Sequence, residues 1–177
     1  MGLREEPGAE FRLCEKEARD YVGWPRAAAI AGTPSRPALE SGSTEEAAEM
    51  EGWMNGHDRR RLRWLREAAK ELQPYHTRRF FSAHPDVSFT AMNGDEQLKT
   101  LPYHEDGRLE RIALIKAQLP GVDDVVTRTP PDGAHPVHLL SAGALLWTAR
   151  RASGRAISRF PLDPFWDTEG MRMELVR

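Results

Sequence analysis

Val137-His138-Leu139-Leu140-Ser141-Ala142-Gly143-Ala144-Leu145-Leu146-Trp147-Thr148-Ala149-Arg150-Arg151 is the most apolar segment of the chain and sets its architecture. Leu139, Leu140, Ala142, Ala144, Leu145, Leu146 and Trp147 put apolar side chains almost all round a helix. That pattern belongs to a helix enclosed by a core, not one laid on a surface. Gly143, lacking a Cβ, lets another backbone come close. The apolar run 139–149 contains Ser141 and Thr148 and has about half of the roughly 20 residues that span a bilayer. A core helix over 137–151 is therefore expected, and no membrane partner.

Outward from this helix, four more are expected. Leu109, Ile112, Ala113, Ile115 and Leu119 recur at helical spacing over 107–119 and should point inward. Leu62, Leu65, Ala69 and Leu72 form the apolar stripe of a strongly amphipathic helix over 57–72. Ser43 with Glu46 forms a capping box that opens a helix over 43–54. Phe11, Cys14, Ala18, Tyr21 and Val22 mark a helix over 10–23, stopped by Gly23 and Pro25. A short helical turn over 87–92 ends at Asn93-Gly94. Phe80 and Phe81 lie in an expected strand over 77–83, and 171–176 supplies a terminal strand. The proline-bearing stretches 24–42, 120–133 and 154–170 read as loops. The expected fold is α/β, mostly helical with about five helices and a small remnant sheet, in a single domain over 1–177 with 1–9 flexible.

The 177 residues carry 25 basic and 27 acidic side chains, a net charge of -2, which excludes a polybasic nucleic-acid or membrane binder while leaving room for a local basic patch. With 40% hydrophobic and 29% charged residues the chain reads as globular, not disordered. Cys14 stands alone, so neither an intramolecular disulfide nor a multi-cysteine zinc site can form. The charged Arg4-Glu5-Glu6 follows Met1 where a secretory leader would need an apolar run. A cytoplasmic protein is expected.

A series of short motifs runs in order along the chain. They are Arg12-Leu13-Cys14-Glu15-Lys16-Glu17-Ala18-Arg19, Pro25-Arg26, Pro34-Ser35-Arg36-Pro37-Ala38-Leu39, His84-Pro85-Asp86-Val87-Ser88-Phe89, and Asn93-Gly94. Gly107 with Arg111 follows, then Leu145-Leu146-Trp147-Thr148-Ala149-Arg150-Arg151 and Gly170-Met171-Arg172-Met173-Glu174-Leu175-Val176. From about residue 11 to the C-terminus this order resembles the predicted nucleases of the DUF429 family, a domain of unknown function with an RNase H-like fold. The resemblance implies a fold truncated at the N-terminus, because the family's first strands, one carrying a Gly-x-Asp-Gly-like signature, have no counterpart here. It also implies carboxylates that hold two divalent cations, Mg or Mn, around a phosphodiester. The matching acidic positions fall on Ser82, His138 and Ser141, none of them an anionic oxygen ligand. The resemblance therefore implies a catalytically degenerate relative with no cofactor. A divergent active nuclease that uses Asp86 with acids from a partner chain is the alternative. A second copy or a protein partner would complete the sheet by strand addition.

Other groupings of side chains offer further candidates. His84-Pro85-Asp86 could form a functional turn at a strand end, with Asp86 as a single metal ligand or as the cap of the next helical turn. His135-x-x-His138 could offer two imidazoles to zinc or nickel with His84 or Asp132; the plainer reading is two histidines at a helix start. Asp123-Asp124 and Asp132 read as a solvated loop. Ser82, Ser88 or Ser141 beside a histidine lacks the Gly-x-Ser-x-Gly elbow of a hydrolase. Arg59, Arg60 and Arg63, with Arg61 and Arg66 nearby, could touch phosphates, although Asp58, Glu67 and Glu71 dilute their charge. Trp53, Trp64, Trp147 and Trp166 could stack on bases or pack a core.

Overall fold

The computed structural model describes residues 2–177. Among them are eight α-helices, two 3-10 turns and one two-stranded antiparallel sheet. The mixed, mostly helical class expected from sequence holds, and the helix count of five does not. Beyond those five, the short helical turn expected over 87–92 is the helix α5 (Pro85–Met92), and α2 (Arg36–Glu40) and α7 (Asp123–Val126) form in stretches read as loops. Two of them begin at or beside a proline, which fits the first helical turn because its missing N–H would have no partner there. The chain divides into two compact units.

The first unit comprises the described residues through Glu17, Ala31–Ser82 and Arg159–Leu175. Here α2, α3 (Thr44–Glu51) and α4 (Gly56–Glu71) pack round Leu3, Ala38, Leu39, Ala47, Met54 and Leu62. Ser43 Oγ accepts from the Glu46 N–H at 3.0 Å, but the Glu46 carboxylate accepts from Gly42 N at 2.9 Å, so the expected capping box is half formed. The complete box lies at α4, where Asn55 and Asp58 satisfy each other's backbone N–H groups. Residues 2–8 are tied by Gly2 N to Arg172 O at 2.8 Å, Leu3 N to Asp167 Oδ2 at 3.0 Å, and Gly8 N to Glu51 Oε2 at 3.1 Å.

Two expectations are corrected in this unit. Residues 77–83 form no strand: a 3-10 turn over Pro74–Arg78 opens with proline at its start, and the Thr77 hydroxyl donates to Pro74 O at 2.6 Å. Phe80 is 62% exposed rather than one side of a sheet. The stretch 154–170 is not all loop, because it contains β1 (Arg159–Trp166), paired with β2 (Arg172–Val176). A sheet of two strands consists only of edges, so Pro161 and Pro164 interrupt no central ladder.

The second unit comprises Ala18–Ile30, Ala83–Ser158 and the last two residues. Its start is the latter part of α1 (Leu13–Val22). Phe89, Leu98, Ile115, Leu119, Leu140 and Trp147 form its core, contributed largely by α5, α6 (Glu105–Gln118) and α8 (Pro136–Ser153). The expectation that α8 is enclosed all round is corrected: Val137, Leu140, Ala144, Trp147 and Thr148 are buried on one face, while Ala142, Leu146 and Ala149 are exposed on the other. Gly143 admits side chains rather than a backbone: an added Cβ would lie 3.0 Å from Ile115 Cδ1 and 3.1 Å from Val126 Cγ1. Leu109 and Ala113, expected inward, are exposed on α6. Among the described residues no helix is long and apolar enough to cross a membrane.

Candidate functional site

The second unit contains a cleft of about 230 Å³ where its short motifs meet. The wall includes Arg26, Ala29, His84, Pro85, Asp86, Phe89, Pro102, Tyr103, Arg111, Val137, His138, Leu140 and Ser141. Three local structures place these groups. His84 precedes α5, and its Nδ1 accepts from the Asp86 N–H at 3.2 Å. With Nδ1 accepting, Nε2 carries the ring proton and donates to Ala29 O at 3.2 Å. The residue that caps α5 is thus His84, not Asp86, whose side chain is left for other work.

That work is ion pairing. Arg26, from a 3-10 turn over Arg26–Ala29, engages the Asp86 carboxylate through both Nε and Nη2, with Nε 3.0 Å from Oδ1. Arg111, from α6, places Nη2 3.5 Å from Asp86 Oδ1, an ion contact without a hydrogen bond. Arg111 is 1% exposed. Its Nη1 donates to Thr100 O at 3.0 Å and to Gly107 O at 2.9 Å, and its guanidinium carbon lies 5.3 Å from the centre of the Phe89 ring. Burial pulls Arg111 below the usual arginine range, Asp86 opposes that, and Arg26 adds to it. Gly107 fits here because an added Cβ would lie 2.1 Å from Leu101 O.

The third structure is the start of α8. His135 Nδ1 accepts from Val137 N at 3.2 Å, and His138 Nδ1 accepts from His135 N at 3.1 Å. The pair read from sequence as helix-start histidines is a reciprocal cap. His138 keeps its Nε2–H on the rim of the cleft, one turn before Ser141.

The donor set decides what this site can hold. A hard divalent cation needs several oxygen ligands with negative charge. Asp86 is the one carboxylate on the wall, and two guanidiniums share it. Among the described residues no three His, Cys, Asp or Glu side chains are grouped as a metal site. The residues present do not fit the Mg or Mn pair implied by the resemblance.

The other candidates are dispersed. Ser82 belongs to the first unit, in a separate cleft with Phe80 and Phe81. Ser88 is buried, its hydroxyl 2.7 Å from that of Thr148. Asp123 accepts from Gly121 N at 3.1 Å. Arg59, Arg60 and Arg63 lie exposed on α4, while Arg66 turns back to donate to Leu39 O and Ser43 O, each at 2.9 Å. Trp147 packs in the core, and Trp64 is 63% exposed with the Arg63 guanidinium 5.2 Å from its ring centre. The sequence reading assigned no role to Arg26, Arg111 or Tyr103. The first two already stood among the quoted motifs, which was the available signal.

A family described as Protein of unknown function (DUF429) matches residues 1–164, where the sequence reading placed the match from about residue 11 to the C-terminus. No curated protein and no solved structure matched the chain.

Proposed function

We propose that this chain, which belongs to the DUF429 family, is a catalytically degenerate relative of divalent-metal-dependent RNase H-like nucleases. One observation carries the reading: Asp86, the carboxylate of the motif cleft, is neutralised by Arg26 and faces Arg111 as well. A cation placed against Asp86 would have to displace a buried bidentate arginine and then sit beside two positive charges. Asp86 here is a structural counterion. His138 and Ser141, where the resemblance calls for carboxylates, bring no negative charge to the same cleft. The test is incubation of the purified chain with single- and double-stranded DNA and RNA in Mg²⁺ or Mn²⁺. No cleavage above the metal-only control is expected. Cleavage that disappears in Asp86→Asn would refute the reading and favour the divergent nuclease.

A second reading rests on α4. Arg59, Arg60 and Arg63 are exposed beside the exposed Trp64, a combination of cations and a stacking face that single-stranded nucleic acid can use. If this face binds, affinity for a labelled oligonucleotide falls steeply between 50 and 200 mM salt, on the order of tenfold or more. An Arg59→Ala, Arg60→Ala, Arg63→Ala triple variant then loses most of it. An affinity indifferent to salt and to the triple variant excludes this face.

A further inference from the structure

The apolar face of α6 is wider than the core it serves. Leu109, expected inward, is 53% exposed, and Ile112 is only half-buried. Both line a groove of about 380 Å³ in the second unit, formed by α6, the segment that follows α7 and the start of α8. Val126, Pro130, Pro136 and Leu140 complete its apolar lining, and among the described residues no aromatic ring and no carboxylate belongs to it. Its charge is of one sign. Arg108 and Arg128 stand exposed on the wall. Among the described residues neither guanidinium has an ion pair or a hydrogen bond. Glu105, Asp106 and Glu110 share α6 with Arg108 but do not line the groove.

We propose that this groove binds a small amphiphilic anion, a fatty carboxylate, with its alkyl chain against Leu109 and Ile112 and its head at Arg108 and Arg128. Asp86 takes no part, so this site stands apart from the reading of the motif cleft. A guanidinium that holds no acid keeps its charge and its planar fork of donors for a carboxylate. Aliphatic walls favour an alkyl chain, because a flat aromatic body would find no ring to stack on. The volume falls within the range of small-molecule sites, about 300–1,000 Å³. A stable protein interface would need about 20–30 residues on each side, far more than line this groove. Each methylene taken out of water strengthens binding about fourfold. The long helix α8 begins at Pro136 on the same wall, and its N-terminal dipole adds to the attraction for an anion.

Calorimetric titration of the full chain with sodium decanoate, kept below its micelle-forming concentration, tests this. Octanoate and butyrate vary the chain, while 1-octanol and decyl phosphate vary the head. Saturable one-to-one decanoate binding is expected, weaker for octanoate and undetectable for butyrate. An Arg108→Gln, Arg128→Gln double variant should lower decanoate affinity at least tenfold. Leu109→Asp sets a negative charge in the groove from an exposed position and should abolish binding at an unchanged melting temperature. An Arg59→Gln, Arg60→Gln double variant on α4 controls for general attraction to cations and should bind decanoate as the parent chain does. No saturable heat with decanoate overturns the proposal, and so does undiminished affinity in the groove variants. Octanol binding as tightly as octanoate overturns it by removing the role of charge. Binding of decyl phosphate but not decanoate also overturns it. A dimer that Leu109→Asp dissociates would give the groove to a second copy and overturn it as well.

Discussion

At the scale of single residues, the central pair is Arg26 with Asp86. Both are nine-tenths buried, so their exchange of water for each other is close to complete. Removing one partner strands the other's charge, a loss of about 3–5 kcal/mol for a buried pair. Arg26→Met is therefore expected to lower the urea midpoint markedly, and Asp86→Asn to do the same, with the double variant less damaged than their sum. Strict additivity in that cycle would contradict direct pairing. Cys14 gives a second residue-scale expectation. It is fully buried, and burial pushes its thiol up to about 11, with Arg12 opposing. Thiolate is the reactive form, so a disulfide reagent at pH 8 should fail to label the native chain and label it once urea unfolds it. Rapid native labelling would place Cys14 nearer the surface than described.

At the scale of elements, two glycines separate close approach to backbone from close approach to side chains. A Cβ at 107 meets Leu101 O at 2.1 Å, and a carbonyl cannot step aside without moving its chain. A Cβ at 143 meets the ends of Ile115 and Val126 at 3.0 and 3.1 Å, which can shift by rotation. Gly107→Ala should thus cost at least the 1–3 kcal/mol typical of overpacking, and Gly143→Ala less. Equal losses in chemical denaturation would refute the distinction. The same contrast explains what could be read from sequence. The amphipathic α4 and the terminal strand announced themselves through side-chain periodicity, which is a local property, whereas the apolar run of α8 announced a helix but not that Ala142, Leu146 and Ala149 would be exposed. The prolines of α2 and β1 read as breakers, although one sits at a helix start and the other two in an edge strand. Phe80 and Phe81 looked like strand residues because β propensity reports side-chain shape and cannot report a neighbouring strand. In the site, the motif residues were visible in order along the chain, and their convergence was not. The Arg26–Asp86 pair joins two distant stretches, and only tertiary packing brings them together.

At the scale of the whole molecule, acid should weaken the first unit through Glu51. Burial alone would raise its carboxyl, but hydrogen bonds from Ser35, Gly8 and Trp53 hold it below the usual carboxylate range. A carboxyl depressed in the folded state adds stability that is complete above its unfolded pKa, about 4.3, and lost as pH falls through the lower folded value. Stability should therefore decline below about pH 4.3, and Glu51→Gln should be less stable at pH 7 with a shallower acid slope. An unchanged slope would remove Glu51 from that account. The functional account depends on charge in the second unit: Asp86 already has its cations. Titration of the chain into Mn²⁺, followed by the paramagnetic resonance of the free ion, measures that directly. A free-ion signal undiminished by the protein is expected, and a stoichiometric loss of signal that Asp86→Asn restores would show that Asp86 binds the cation.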